Sequence, residues 1–235
     1  MNKKQVILGA LLSFFLHENC QACVIAGAGA PSSGKTTIMG KLASRMKGRL
    51  FSELPEKDWE NIVESRNVYG KFEVITFLRA LRVSALLKAV SLAKETRENV
   101  FLDSFYDKIM LYYIGKPGHR WLIDKEDKYY KVLKQVALLD NQLLPDVDFV
   151  IFFKVSLPLW KKFMRKRSRK NDERFNITEL MVTQEEILGA VKDYCRERGV
   201  QLIIYEQQEG ITPEAAALIL EKKLLKYIVS RRVEK

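Results

Sequence analysis

A chain of 235 residues, 47% apolar or aromatic and 29% charged, is long enough to bury the core of one α/β domain and too short for two, and this composition excludes a disordered chain. Forty lysines and arginines against 29 acids leave a net charge of +11, which suits an anionic partner (nucleotide, nucleic acid or acidic membrane surface) as well as simple solubility. Three cysteines, Cys20, Cys23 and Cys195, are an odd number that excludes a disulfide framework, and the C-x-x-C spacing of the first two has no second pair with which to build a zinc site.

At the amino end, Lys3-Lys4 precede an apolar run from Val6 to Leu16, and Ala22 follows. The pattern has the form of a secretory signal but is too short to span a bilayer. Two readings stay open: an extra helix packed on a cytoplasmic domain, or an exported chain cut after Ala22. Residues 1–22 are therefore set apart as an apolar extension, and 23–235 as the domain.

Cys23-Val24-Ile25-Ala26 reads as a buried parallel strand, and Ile38, Met39, Leu42, Ala43 and Met46 repeat at helical spacing. Between them, Gly29-Ala30-Pro31-Ser32-Ser33-Gly34-Lys35-Thr36 fits G-x-x-x-x-G-K-[ST]. Strand, loop and helix in this order are the context of a P-loop, in which backbone N–H groups wrap a phosphate at the positive end of the helix. ATP and Mg²⁺ are expected at Gly29 to Thr37, with Lys35 on the β and γ phosphates and the Thr36 hydroxyl on the metal.

Arg49 to Ser52 form a short second strand, which Pro55 ends. Glu53 thus falls at a strand's carboxyl end, where open α/β sheets bind ligands and where a carboxylate can take a proton from a substrate hydroxyl. A long helix from Tyr69 to Thr96 follows, with Arg79 and Arg82 on or near its apolar stripe. Each guanidinium there needs a partner, either an internal carboxylate or a bound substrate or phosphate. Asn99 to Leu102 form a third buried strand ending at Asp103, which can hold Mg²⁺, bind a substrate hydroxyl or cap the helix beginning at Ser104. The aromatics Tyr112, Tyr113, Trp121, Tyr129 and Tyr130 are read as core or surface filler.

Phe149 to Phe153 are a fourth strand. The run Lys161-Lys162-Phe163-Met164-Arg165-Lys166-Arg167-Ser168-Arg169-Lys170 is the densest basic segment. After the fourth strand of a P-loop fold it is best explained as a lid whose arginines close over transferring phosphates, with a nucleic-acid groove as the other use of such a run. Thr183 is expected to cap a helix through about Arg198, Gln201 to Tyr205 make a fifth strand, and Thr212-Pro213-Glu214 open a last helix. Five strands alternating with helices predict an α/β fold with a five-stranded parallel sheet covered on both faces.

From Cys23 to Tyr205 the chain resembles the deoxynucleoside kinases and thymidylate kinases, P-loop enzymes of nucleotide salvage. Glu53-Leu54-Pro55 with Trp59 is similar to the Glu-Pro segment and nearby tryptophan of deoxynucleoside kinases, Arg82 to the arginine on the third long helix, and Arg165, Arg167 and Arg169 to the arginine-rich lid. Two departures stand out. Asp103-Ser104 keeps the carboxylate of the family's Glu-Arg-Ser or Asp-Arg-Tyr motif without its arginine, and Ile75 aligns with a base-reading glutamine. The resemblance implies transfer of the γ-phosphoryl of ATP to a nucleoside 5′-hydroxyl or to a monophosphate such as dTMP. Glu53 would be the base, Asp103 would hold metal or substrate, Arg82 or Arg79 would bind substrate, and Lys35 with the lid arginines would neutralise charge. A homodimer is a further expectation. The rivals are a polynucleotide 5′-kinase and a catalytically silent nucleotide-binding protein; a GTPase is disfavoured, for neither N-K-x-D nor D-x-x-G occurs.

Overall fold

The structure, a computed structural model, describes residues 22–53, 70–167 and 177–233. The apolar extension up to residue 21, Trp59 and Arg169 lie outside the described residues. Among the described residues no helix is long and apolar enough to cross a membrane.

Five strands form one parallel sheet: β1 (Val24–Ala28), β2 (Arg49–Phe51), β3 (Val100–Leu102), β4 (Phe149–Lys154) and β5 (Gln201–Glu206), in the order β2-β3-β1-β4-β5. Val24 lies opposite Val100, and Ile25 opposite Phe149. Successive side chains of a strand point to opposite faces, so unbroken apolar runs require helices on both sides. They have them. On one face Val24, Ala26, Val100, Leu102, Val150 and Phe152 pack beneath α2 (Lys71–Thr96), α3 (Tyr106–Tyr113), α4 (Tyr130–Leu143) and α6 (Ile177–Arg198). On the other, Ile25, Phe101, Phe149, Ile151 and Ile203 pack beneath α1 (Lys35–Arg45) and α7 (Pro213–Val233), which the ion pairs Lys41–Glu214 and Arg45–Glu221 also tie together. A small third cluster, Ala30, Val155, Leu159, Trp160 and Leu180, seats α5 (Leu157–Arg167) beside the loop after β1.

The order of the strands places the site. From β1 the chain runs to the β2 edge, whereas from β3 it crosses to β4 on the other side of β1. The segments leaving the adjacent strands β1 and β3 therefore diverge, and such a divergence opens a crevice at the carboxyl ends of the strands.

Local details differ from the sequence reading. Asp103 caps no helix: α3 begins at Tyr106 with Phe105 at the cap position and no side-chain cap, because the carboxylate is turned to the loop after β1. Thr183 lies within α6 rather than at its start, and its hydroxyl is directed to the carbonyls of Gly118 and Glu179. Trp121 lies in a turn after the short 3₁₀ segment Pro117–His119.

Candidate active site

The loop between β1 and α1 needs its glycines. Gly29 has φ +148°, and a Cβ there would stand 2.8 Å from the Phe153 carbonyl; Gly34 has φ +72° at the cap of α1. The first turn of α1 carries no acid, so its free N–H groups present unneutralised positive charge to the crevice. Three side chains from distant elements hold the loop. The Tyr106 hydroxyl donates to the Gly29 carbonyl at 2.7 Å, Trp160 Nε1 donates to the Pro31 carbonyl at 2.9 Å, and Gln207 Nε2 donates to the Ser33 carbonyl. Gln207 is itself anchored, its N–H meeting the Lys154 carbonyl at 2.9 Å as β5 ends.

Lys35 is buried, its ammonium 5.8 Å from the centre of the Tyr106 ring. Burial alone would pull its pKa down. The nearby Tyr106, Asp103 and Glu53 outweigh that and hold it above the usual lysine value, so the group stays charged.

Asp103 follows β3 directly and is 1% exposed. Its N–H continues the ladder to the Phe51 carbonyl. One carboxylate oxygen, Oδ2, accepts the Thr36 hydroxyl at 2.6 Å, while the other, Oδ1, is buried with no partner among the described residues. Burial pushes the carboxyl above the ordinary aspartate pKa, although Lys35 and the Thr36 hydroxyl pull the other way. A sealed carboxylate oxygen without a donor calls for a cation or a water, and hard oxygens from a carboxylate and a threonine hydroxyl suit Mg²⁺. The residues present thus fit the metal. Among the described residues no three His, Cys, Asp or Glu side chains cluster to make an all-protein metal cage, in keeping with an ion that keeps waters and phosphates as its other ligands.

Glu53 lies two residues beyond β2, exposed on the rim of the same cavity, and close enough to Lys35, Arg82 and Asp103 to act on their charges. Arg82, on α2, lines the cavity and donates two hydrogen bonds to Asp107 of α3, at 2.6 and 3.0 Å. Its guanidinium also faces the Tyr106 ring at 5.9 Å. Arg79, one turn earlier, is not part of the cavity wall; it forks onto Asp140 of α4. Of the basic run, Lys166 lines the cavity and Arg165 precedes it on α5, where Arg167 is the last helical residue.

The cavity has a volume of about 870 Å³. It runs from the loop residues Pro31 to Thr37, past Glu53, Asp103 and Arg82, into a chamber between α2, α3 and the turn at 119–122. Tyr106, Tyr113, His119, Trp121 and Gln207 all border it, and none was a candidate from sequence. The spacing of the aromatics carries no sign of the cavity. Gln207 carries a position that could have been noticed, since it directly follows the last strand of the sheet.

No family model matches the sequence, and no curated protein does. Solved structures do match. Deoxyadenosine kinase from M. mycoides with bound dATP has 18% identity and a TM-score of 0.61, over 86% of this chain and 98% of that one. The same enzyme with products dCMP and a flexible dCDP has 15% identity and a TM-score of 0.57, over 86% and 99%. Thymidylate kinase from Ehrlichia chaffeensis has 14% identity and a TM-score of 0.51, over 88% and 99%. The chain therefore has the fold of P-loop nucleoside and nucleotide kinases along almost the whole length of these neighbours.

Proposed function

We propose that the protein is an ATP-dependent phosphotransferase whose acceptor is a nucleoside 5′-hydroxyl or a nucleoside monophosphate. The observation that carries this reading is the continuity of the cavity: Lys35, Thr36, Asp103 and Glu53 border one end and a largely apolar, aromatic chamber forms the other. The fold shared with nucleoside and nucleotide kinases supports the same assignment.

In this scheme the triphosphate lies along the loop, its charge met by the N–H groups at the start of α1 and by Lys35. Mg²⁺ at Thr36 and Asp103 would neutralise charge on the β and γ phosphates. Glu53 accepts the proton of a 5′-hydroxyl as that oxygen bonds to the γ-phosphorus; the bond from phosphorus to the bridging oxygen breaks and ADP leaves. A monophosphate acceptor has no proton to lose, and Glu53 would then orient it. Arg82, pinned by Asp107, supplies fixed positive charge on the acceptor side, and Arg165 and Lys166 supply it from α5. With Ser104 in place of the family's arginine, Arg82 rather than Arg79 is the guanidinium placed to replace the missing charge, because both are paired with carboxylates but Arg82 borders the cavity. Nearly all the rate enhancement in such a site is positioning and electrostatics.

Purified protein, Mg²⁺ and ATP incubated with nucleosides, nucleoside monophosphates and 5′-hydroxyl oligonucleotides tests the assignment. Phosphorylation of either small acceptor is the expected result. Nucleotide binding without turnover on any acceptor, or turnover on oligonucleotides alone, sinks it.

A further inference from the structure

His119 is one of two histidines in the chain, is 2% exposed, and borders the acceptor chamber. Its surroundings fix its chemistry. Glu186 of α6 receives the Gly118 N–H at 3.1 and 3.2 Å and contacts His119 Nδ1 at 2.8 Å. A carboxylate only accepts, so Nδ1 carries the proton and Nε2 keeps a free lone pair. Nε2 bonds to no described residue. Tyr113 stacks on the ring at 4.3 Å between centroids, with Trp121 at 6.4 Å on the same unit, so the imidazole is held in one plane.

Other polar groups of that wall already have protein partners, Arg82 on Asp107 and the Thr183 hydroxyl on the Gly118 and Glu179 carbonyls. The side chains of Ile75, Leu78, Met110, Leu122 and Ile187 carry no N–H or O–H group, and the Tyr113 hydroxyl is turned to the Tyr106 carbonyl at 3.3 Å. Burial also keeps the imidazole below its ordinary pKa, against the upward pull of Glu186, which leaves the ring neutral near pH 7. A chamber of this make-up stacks a flat ring and presents one fixed hydrogen-bond acceptor to its edge.

We propose that His119 is a specificity-determining residue: its Nε2 accepts a hydrogen bond from an exocyclic amino group of the acceptor's base, so the chamber selects amino-bearing bases. This rests on the acceptor reading given above. A base offering only a carbonyl to Nε2 sets two lone pairs against each other in an apolar setting, and a base offering only C–H leaves Nε2 unmatched.

Calorimetric titration of the full chain without ATP tests this, with nucleosides that differ at one group: adenosine-type against the purine nucleoside lacking the amino group, and cytidine-type against uridine-type. The amino-bearing member of each pair should bind about 10- to 100-fold tighter, the scale of one buried, unmatched polar group. His119→Phe should bring both ratios close to one, and His119→Gln, which keeps an acceptor oxygen, should retain part of the preference; ATP binding serves as the check that each variant is folded. Equal affinities within each pair for the wild type, or a preference that survives in folded His119→Phe, overturn the inference while nucleoside binding itself upholds the acceptor site. Should neither nucleosides nor their monophosphates, tested in the same pairs, bind or be phosphorylated, the acceptor reading falls and this inference falls with it.

Discussion

Thr36 and Asp103 are joined by a 2.6 Å hydrogen bond across the crevice between β1 and β3. One residue lies in the first turn of the helix that follows the loop and the other directly follows the neighbouring strand, so the bond fixes the separation between the two sides of the site. It also leaves Asp103 in an unfavourable state, buried and with one oxygen unmatched.

Asp103→Asn should therefore trade activity for stability. Loss of one preorganised charge at the phosphates should lower the rate about 10²- to 10³-fold. The metal-free protein should melt higher than wild type at neutral pH. The sign follows from the raised pKa: the folded state holds the Asp103 proton more tightly than the unfolded state, so wild-type stability falls as pH rises from the ordinary value of 3.8 through the folded value. The asparagine variant lacks that term. Melting curves in chelator across that range should show a gap that widens with pH and then levels; a variant that melts lower throughout contradicts this account of Asp103.

Glu53→Ala should reduce turnover of a hydroxyl acceptor about 10²- to 10⁴-fold, the range for a general base, while a monophosphate acceptor, which Glu53 only orients, should lose far less. Steady-state rates with the two acceptor types, compared in one variant, read the difference. Equal loss on both would assign Glu53 to binding rather than proton transfer.

Arg82 and Arg79 should separate in the same assays. Asp107→Ala leaves a mostly buried guanidinium without its carboxylate and should cost about 3–5 kcal/mol of stability, measured by urea unfolding, and it should also raise the acceptor KM through the loosened Arg82. Arg79→Ala strands the buried Asp140 carboxylate and should lower stability, yet leave the acceptor KM unchanged because that arginine is outside the cavity wall.

Gly29→Ala tests the loop. The new methyl would meet the Phe153 carbonyl at 2.8 Å, on a backbone with φ +148°, a strain on the order of 1–3 kcal/mol. Fluorescent nucleotide titration should show binding lost or severely weakened. Normal affinity would mean that the loop tolerates a different backbone path.

These residues also mark what short-range pattern can reveal. The strand, the loop and α1 were legible because each is specified by neighbours within a dozen residues, and the positions of Glu53 and Asp103 because a carboxylate just past the carboxyl end of a parallel strand has a fixed place at the edge of the sheet. Arg79 and Arg82 looked alike on one helical stripe; which of them meets the cavity depends on whether α3 or α4 packs beside it, and periodicity is silent on that. Thr183 had the chemistry of a cap, but a tertiary contact with Gly118 uses its hydroxyl inside α6. Gln207 is 174 residues from the Ser33 carbonyl that it meets, and only the finished sheet brings them together. His119 carried no motif at all.

Tyr106 occupies the middle of the assembly, its oxygen on Gly29 and its ring shared by Lys35 and Arg82. On the donor-and-acceptor reading proposed above, a shared pivot should link the two compartments. Whatever nudges the phenol while filling one of them should alter the loop beside the other, so occupancy of either compartment is expected to change the affinity of its neighbour.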